Sequence, residues 1–147
     1  MQKLIVVIDA DVIPGQYFGM IVSNLEKIGI LNSITAYGDF RRNWLDNWKN
    51  ILPNNGLTLI LKQVNGGKEN ADKQIVIDMM DQQYSGADSF CIVSSDSYFT
   101  PLAIRLRESG KRVYGMGESN TSDTLKSSPA RATSTRWPSC NTASCPT

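Results

Sequence analysis

Five short apolar runs alternate along this chain with segments of helical spacing, and that alternation restricts its possible folds more than any other feature. Lys3 to Ile8, Ile34 to Tyr37, Leu57 to Leu61, Phe90 to Ser94 and Arg112 to Met116 carry the branched and aromatic residues of buried strands. Between them, Phe18, Ile21, Val22, Leu25 and Ile28 recur at helical spacing, with Gly29 as the stop. Helical spacing of Trp44, Leu45 and Trp48 predicts a second helix that stops at Asn54 to Gly56. Ile75, Ile77, Met79 and Met80 predict a third, from Asn70 to about Gln83, with Asp72 in its first turn. Leu102, Ile104 and Leu106 predict a fourth, from about Tyr98 to Ser109, partly buried along that stripe. Strands separated by helices require crossover connections, which are right-handed on steric grounds and make the strands parallel. The predicted fold is an α/β three-layer sandwich with a central parallel sheet of about five strands and a Rossmann-like topology.

At 147 residues and 41% hydrophobic content, the chain is about one domain long and can bury a real core. Its longest apolar runs, such as Leu4 to Ile8, are too short to span a membrane, and Met1 leads into them without a charged region and cleavage site. A cytoplasmic protein is expected. The net charge of +1 makes no general appeal to nucleic acid, so any anion binding must come from a local basic patch. The chain contains no histidine, which excludes Ser-His-Asp and Cys-His nucleophiles, His-ligated zinc and imidazole acid-base chemistry. Its three cysteines are too few for a disulfide framework, and Cys91, inside an apolar run, reads as core.

Carboxylates remain. Asp9 follows the first strand, Asp72 opens the third helix, and Asp96 follows the fourth strand in Ser94-Ser95-Asp96-Ser97. The ends of strands one and four must face the same carboxyl edge, and if those strands are neighbours their carboxylates meet where the strand order reverses. Three such groups can hold Mg²⁺ or Mn²⁺, hard cations that take oxygen ligands and complete their shells with water or phosphate. An ion held this way activates water and shields a phosphodiester during in-line attack, with no histidine required. The alternative is that Asp9 or Asp11, Asp72 and Asp96 each cap a helix, since all lie near predicted helix starts. Lys68, after Gly66-Gly67, can meet a phosphate or stand as a solvated loop lysine.

Six stretches in order carry a resemblance: Val7 to Asp11, Ala36 to Phe40, Gly67 to Asp72, Val76 to Asp81, Phe90 to Leu102 and Val113 to Glu118. They resemble the successive motifs of bacterial NYN domain proteins of the LabA-like group, and the likeness extends over about residues 1 to 125. The resemblance implies a PIN-like fold whose acidic cluster binds Mg²⁺ or Mn²⁺ for RNA cleavage, with Asp9, Asp72 and Asp96 as metal ligands and catalytic residues. RNA is then the expected partner, with Lys68, Arg41, Arg42, Ser94, Ser95 and Ser97 as candidate substrate contacts. A homo-oligomer or a protein partner is compatible with the same motifs.

Three polar positions of the family pattern are changed. Val12 stands where the family usually has asparagine, Tyr98 replaces the second aspartate of Ser-Asp-Ser-Asp-Phe, and Glu69 replaces asparagine after Lys68. A catalytically degraded domain that binds RNA or a protein is the alternative these changes imply. Residues 1–118 form the predicted domain, and residues 119–147 a Ser/Thr-rich tail without periodicity, expected to be disordered or aberrant. The family pattern collapses near Lys126, where some codon choices would restore it in a shifted frame; sequencing the gene decides that point.

Overall fold

The computed structural model describes residues 2–52, 56–94 and 97–117. The chain runs β1 (Gln2–Asp9), α1 (Phe18–Glu26), β2 (Gly29–Gly38), α2 (Asp46–Lys49), β3 (Thr58–Gln63), α3 (Lys68–Gln82), β4 (Ser89–Val93), α4 (Thr100–Glu108) and β5 (Arg112–Met116). Short 3₁₀ turns at Gly15–Tyr17, Asn43–Leu45 and Ser97–Phe99 lead into α1, α2 and α4. All four strand pairings are parallel, and the sheet order is β3-β2-β1-β4-β5. The α/β sandwich expected from the alternation is the fold observed.

Side-chain alternation divides the core into two layers. Leu4, Val6 and Ile8 of β1 join Ile34, Ala36, Cys91 and Val93 against α1 and the Trp48 segment. Val7 joins Tyr37, Phe90 and Ile92 on the opposite face, under Ala71, Ile75 and Met79 of α3 and Leu102, Ala103 and Leu106 of α4. The strand order follows from this placement. β2 and β3 are laid down on one side of β1, the chain crosses back, and β4 and β5 are added on the other side. The reversal therefore lies between β1 and β4, where Ile8 pairs with Val93.

Local departures from expectation have physical causes. Gly29 does not merely end α1: it opens β2, and a Cβ there would lie 2.7 Å from the Gln2 carbonyl oxygen, so only glycine lets the two strands approach. Trp44 is 57% exposed, because the segment coils as a 3₁₀ turn before α2 and presents Leu45 and Trp48 to the core instead. Ile77 of α3 is 55% exposed, and the buried stripe is carried by Ala71, Ile75 and Met79. Ile104 of α4 is likewise 48% exposed beside buried Leu102 and Leu106. Cys91 is fully buried, and burial pushes its thiol up to about 12. No helix among the described residues is long and apolar enough to cross a membrane.

Candidate metal centre at the carboxyl edge

Asp9 ends β1, and its neighbours fix its backbone. Its carbonyl accepts the amides of Val12 at 3.2 Å and Ile13 at 3.0 Å, while the Ala10 amide donates to the Tyr37 carbonyl at 2.9 Å. The carboxylate is 1% exposed. Strand alternation puts it on the α3 side, beside Tyr37, its register partner on β2. On the β4 side, the Ser94 hydroxyl approaches Asp9 Oδ2 at 3.4 Å, and the Ser94 amide donates to the Met116 carbonyl at 2.9 Å. Ser94, expected as a substrate contact, is 0% exposed, so its place is to orient Asp9.

Asp72 is 5% exposed and lies among Ala71, Ile75 and Met79 on the stripe of α3 that covers the sheet. α3 begins at Lys68 rather than Asn70, which moves Asp72 from the first turn to the second. The earlier start comes from Gly66 and Gly67, with φ of 96° and 90°, and from the Asn70 amide, which donates to the Asn65 carbonyl at 3.0 Å. Neither Asp9 nor Asp72 is the cap residue of a helix. α3 is preceded by Gly67 without a side-chain cap, its first-turn acid is Glu69, and no side chain caps α1 or the turn before it. Asp9 is thus buried at the end of β1, beside the reversal of strand order, and Asp72 is buried on α3, the helix that covers the same face of the sheet.

Asp96 and Ser95 lie outside the described residues, as does the tail from residue 118. Lys68 opens α3, and Ser97 opens the 3₁₀ turn after β4. Among the described residues no group of three acidic, cysteine or histidine side chains could hold a metal. The two buried carboxylates fit part of such a donor set, since hard oxygens beside a hydroxyl suit Mg²⁺ or Mn²⁺.

A carboxylate not foreseen as part of the edge is Asp39, after β2. It is 7% exposed and takes Arg41 in a two-pronged pair, Nε to Oδ1 at 2.8 Å and the Nη2 group to Oδ2 at 2.9 Å. Gln63 donates to Asp39 Oδ1 at 2.8 Å, and Arg42 Nε lies 3.7 Å from Oδ2. Hydrogen bonds from Arg41 and then Gln63 hold the Asp39 carboxyl well below the usual range against the opposing effect of burial, and Asp39 in turn raises Arg41. Both arginines, expected as phosphate contacts, follow β2 half-exposed or more, with their charge shared with Asp39. Asp39 directly follows β2 as Asp9 ends β1, and an acid at the end of an apolar run was the available sequence signal.

Tyr98 and Val12 flank this edge. Tyr98 is 43% exposed and meets the buried Phe99 ring edge-on, at 5.3 Å between centroids and 86° between planes. Val12 is partly buried and packs on the core beneath α1.

A five-stranded parallel sheet covered by helices on both faces, with its strand order reversing between β1 and β4, defines an open α/β sandwich whose ligands are expected at that point. The chain belongs to the NYN domain family, whose model matches residues 3–136, and hence to the PIN-like nuclease superfamily. PIN-like nucleases generally use divalent metals. A crystal structure of a protein of unknown function from Vibrio parahaemolyticus is similar, with a TM-score of 0.67 and 19% identity over 84% of this chain and 86% of that one. That likeness speaks for the fold. No curated protein matches the chain.

Proposed function

We propose that this protein is a metal-dependent endoribonuclease in which Asp9, Asp72 and Asp96 hold one Mg²⁺ or Mn²⁺ and water is the nucleophile. The observation that supports this reading is the burial of Asp9, 1% exposed at the end of β1 beside the reversal of strand order, together with that of Asp72, 5% exposed on α3. Burying a carboxylate is unfavourable without cationic or hydrogen-bonded compensation, so two buried carboxylates suit a cation-binding role. When bound, the ion supplies Lewis acidity at the phosphodiester. The chain's own residues do the rest: Ser94 orients Asp9, while Lys68, Arg41, Arg42, Ser95 and Ser97 contact RNA phosphate and ribose. The soluble setting this requires is cytoplasmic.

A second reading, a domain that binds RNA or a protein without cutting, is favoured by Tyr98, whose partly exposed ring occupies a position that the family gives to a carboxylate. Purified protein incubated with single-stranded RNA and Mn²⁺ separates the two. Cleavage lost in Asp9→Asn and Asp96→Asn supports the nuclease; cleavage that survives Asp96→Asn refutes the site. Absence of cleavage in the wild type, with activity gained in Tyr98→Asp, supports the second reading.

A further inference from the structure

α3 presents Asp72 on one flank and Asp78 on the other, and Asp78 gathers bonds from three separate places. The Tyr37 hydroxyl of β2 donates to its Oδ2 at 2.6 Å, and Lys62 Nζ of β3 reaches the same oxygen at 2.7 Å. Gln74, one turn earlier on α3, donates to Oδ1 at 2.9 Å. Lys62 Nζ also stands 5.7 Å from the centre of the Tyr37 ring, a cation–π contact that helps fix the ring's orientation. Burial pushes the Asp78 carboxyl up, but the bonds from Lys62, Tyr37 and Gln74 outweigh it and hold it below the usual range.

Tyr37 is 2% exposed and is the register partner of Asp9. A chain of contacts therefore links Asp9 to the helix that carries Asp72. It runs from Asp9 across the β1–β2 pairing to Tyr37, through the phenol to Asp78, and along α3 to Asp72, six residues back or about 9 Å of helix rise. Apolar packing of Ala71, Ile75 and Met79 holds α3 on the sheet but leaves its rotation and slide loosely specified, because hydrophobic contact is non-directional. Charge-assisted hydrogen bonds at 2.6 and 2.7 Å supply the missing direction.

We infer that Tyr37, Lys62 and Asp78 are positioning residues: a brace on the outer flank of α3 that sets Asp72 against Asp9. The inference rests on the reading of those two carboxylates as metal ligands. Its test is Mn²⁺ titration calorimetry on the full chain, well below the melting temperature, for the wild type, Asp9→Asn, Tyr37→Phe, Lys62→Met, Lys62→Arg and Ile21→Val. Outer-shell groups that orient ligands typically affect metal affinity by about 10- to 100-fold, so Tyr37→Phe and Lys62→Met are each expected to weaken Mn²⁺ binding at least about 10-fold. Lys62→Arg keeps a cation for Asp78 and is expected to bind like the wild type. Ile21→Val trims a core side chain of α1 on the opposite face and is expected to lower the melting temperature without changing affinity. Wild-type affinity in both Tyr37→Phe and Lys62→Met overturns the brace while an Asp9-dependent site stands. Absence of Mn²⁺ binding by the wild type overturns both. Should Tyr37→Phe fail to fold, Lys62→Met, on a half-exposed side chain, carries the test.

Discussion

Trp48→Phe tests how the segment after Asp9 is held. α2 has only four residues, too few to be stable alone, so its position depends on what Trp48 buries. The indole is 1% exposed, packs edge-on against Phe18 at 6.1 Å and 79°, and donates its N–H to the Ile13 carbonyl at 2.9 Å. Ile13, itself 0% exposed, donates its amide back to the Asp9 carbonyl. Phenylalanine keeps an aromatic ring but leaves the Ile13 carbonyl without its donor, at about 1–3 kcal/mol. The lost ring volume, roughly 35 Å³ at about 24 cal/mol per Å³, adds about 0.8 kcal/mol. The sum, about 2–4 kcal/mol, corresponds to a melting temperature lower by about 8–16 °C for a domain of this size. Thermal denaturation followed by circular dichroism, with a denaturant titration to confirm an unchanged slope, reads it directly. A melting temperature within about 2 °C of the wild type would refute the reasoning, because the carbonyl would then have found water or another donor.

The same junction makes Gly15→Ala costly: a Cβ there would lie 2.9 Å from the Trp48 amide nitrogen, so a loss of about 1–3 kcal/mol is expected in the same melt. Asp78 titrates below its ordinary value in the folded protein, so its contribution is fully present above about pH 4 and is lost as pH falls below that. Urea midpoints measured against pH should therefore show a shallower acid limb in Asp78→Asn than in the wild type. Burial, the hydrogen bond to Asp78 and its charge push the Tyr37 phenol well above its ordinary value. Its contribution is full below about pH 10 and lost as pH rises through the raised folded value, so in a spectrophotometric titration Tyr37→Phe should remove a phenol that ionises well above pH 10. Cys91, buried with its thiol raised to about 12, should resist a thiol reagent until the protein unfolds, as mass mapping of the labelled peptide would show.

Periodicity made the centre of the sheet legible because β1 and β4 are largely buried on both faces and so appear as continuous apolar runs, Leu4 to Ile8 above all, whereas the edge strand β3 is partly exposed along its length. It failed where an apolar residue faces outward: Trp44, Ile77 and Ile104 match a helical pattern in sequence, yet only the sheet decides which face is covered. Asp9 and Asp72 were visible as candidates because one ends an apolar run and the other follows a glycine pair early in a helical pattern, although each position alone also suits a helix cap. The Tyr37–Asp78–Lys62 brace was not, since its members are 41 and 16 positions from Asp78 and meet only through the strand order β3-β2-β1. The Asp39–Arg41 pair spans two positions, but its geometry depends on the turn after β2, which no period encodes.

Tyr98 shows how the site's chemistry can change without disturbing its frame. The 3₁₀ turn after β4 is anchored by Phe99, 0% exposed within the cluster that also holds Leu102 and Ile92, while residue 98 points to the partly open side of the same turn. Substituting an exposed residue beside a buried anchor ordinarily moves stability by no more than about 0.5 kcal/mol. The edge can therefore exchange a carboxylate for a phenol at little cost to folding, gaining an aromatic face of the kind on which nucleobases stack. For the same reason Tyr98→Asp is a clean probe: a change in cleavage or Mn²⁺ affinity in that variant reports on the chemistry of the edge, because the turn that carries it is held from the other side by Phe99.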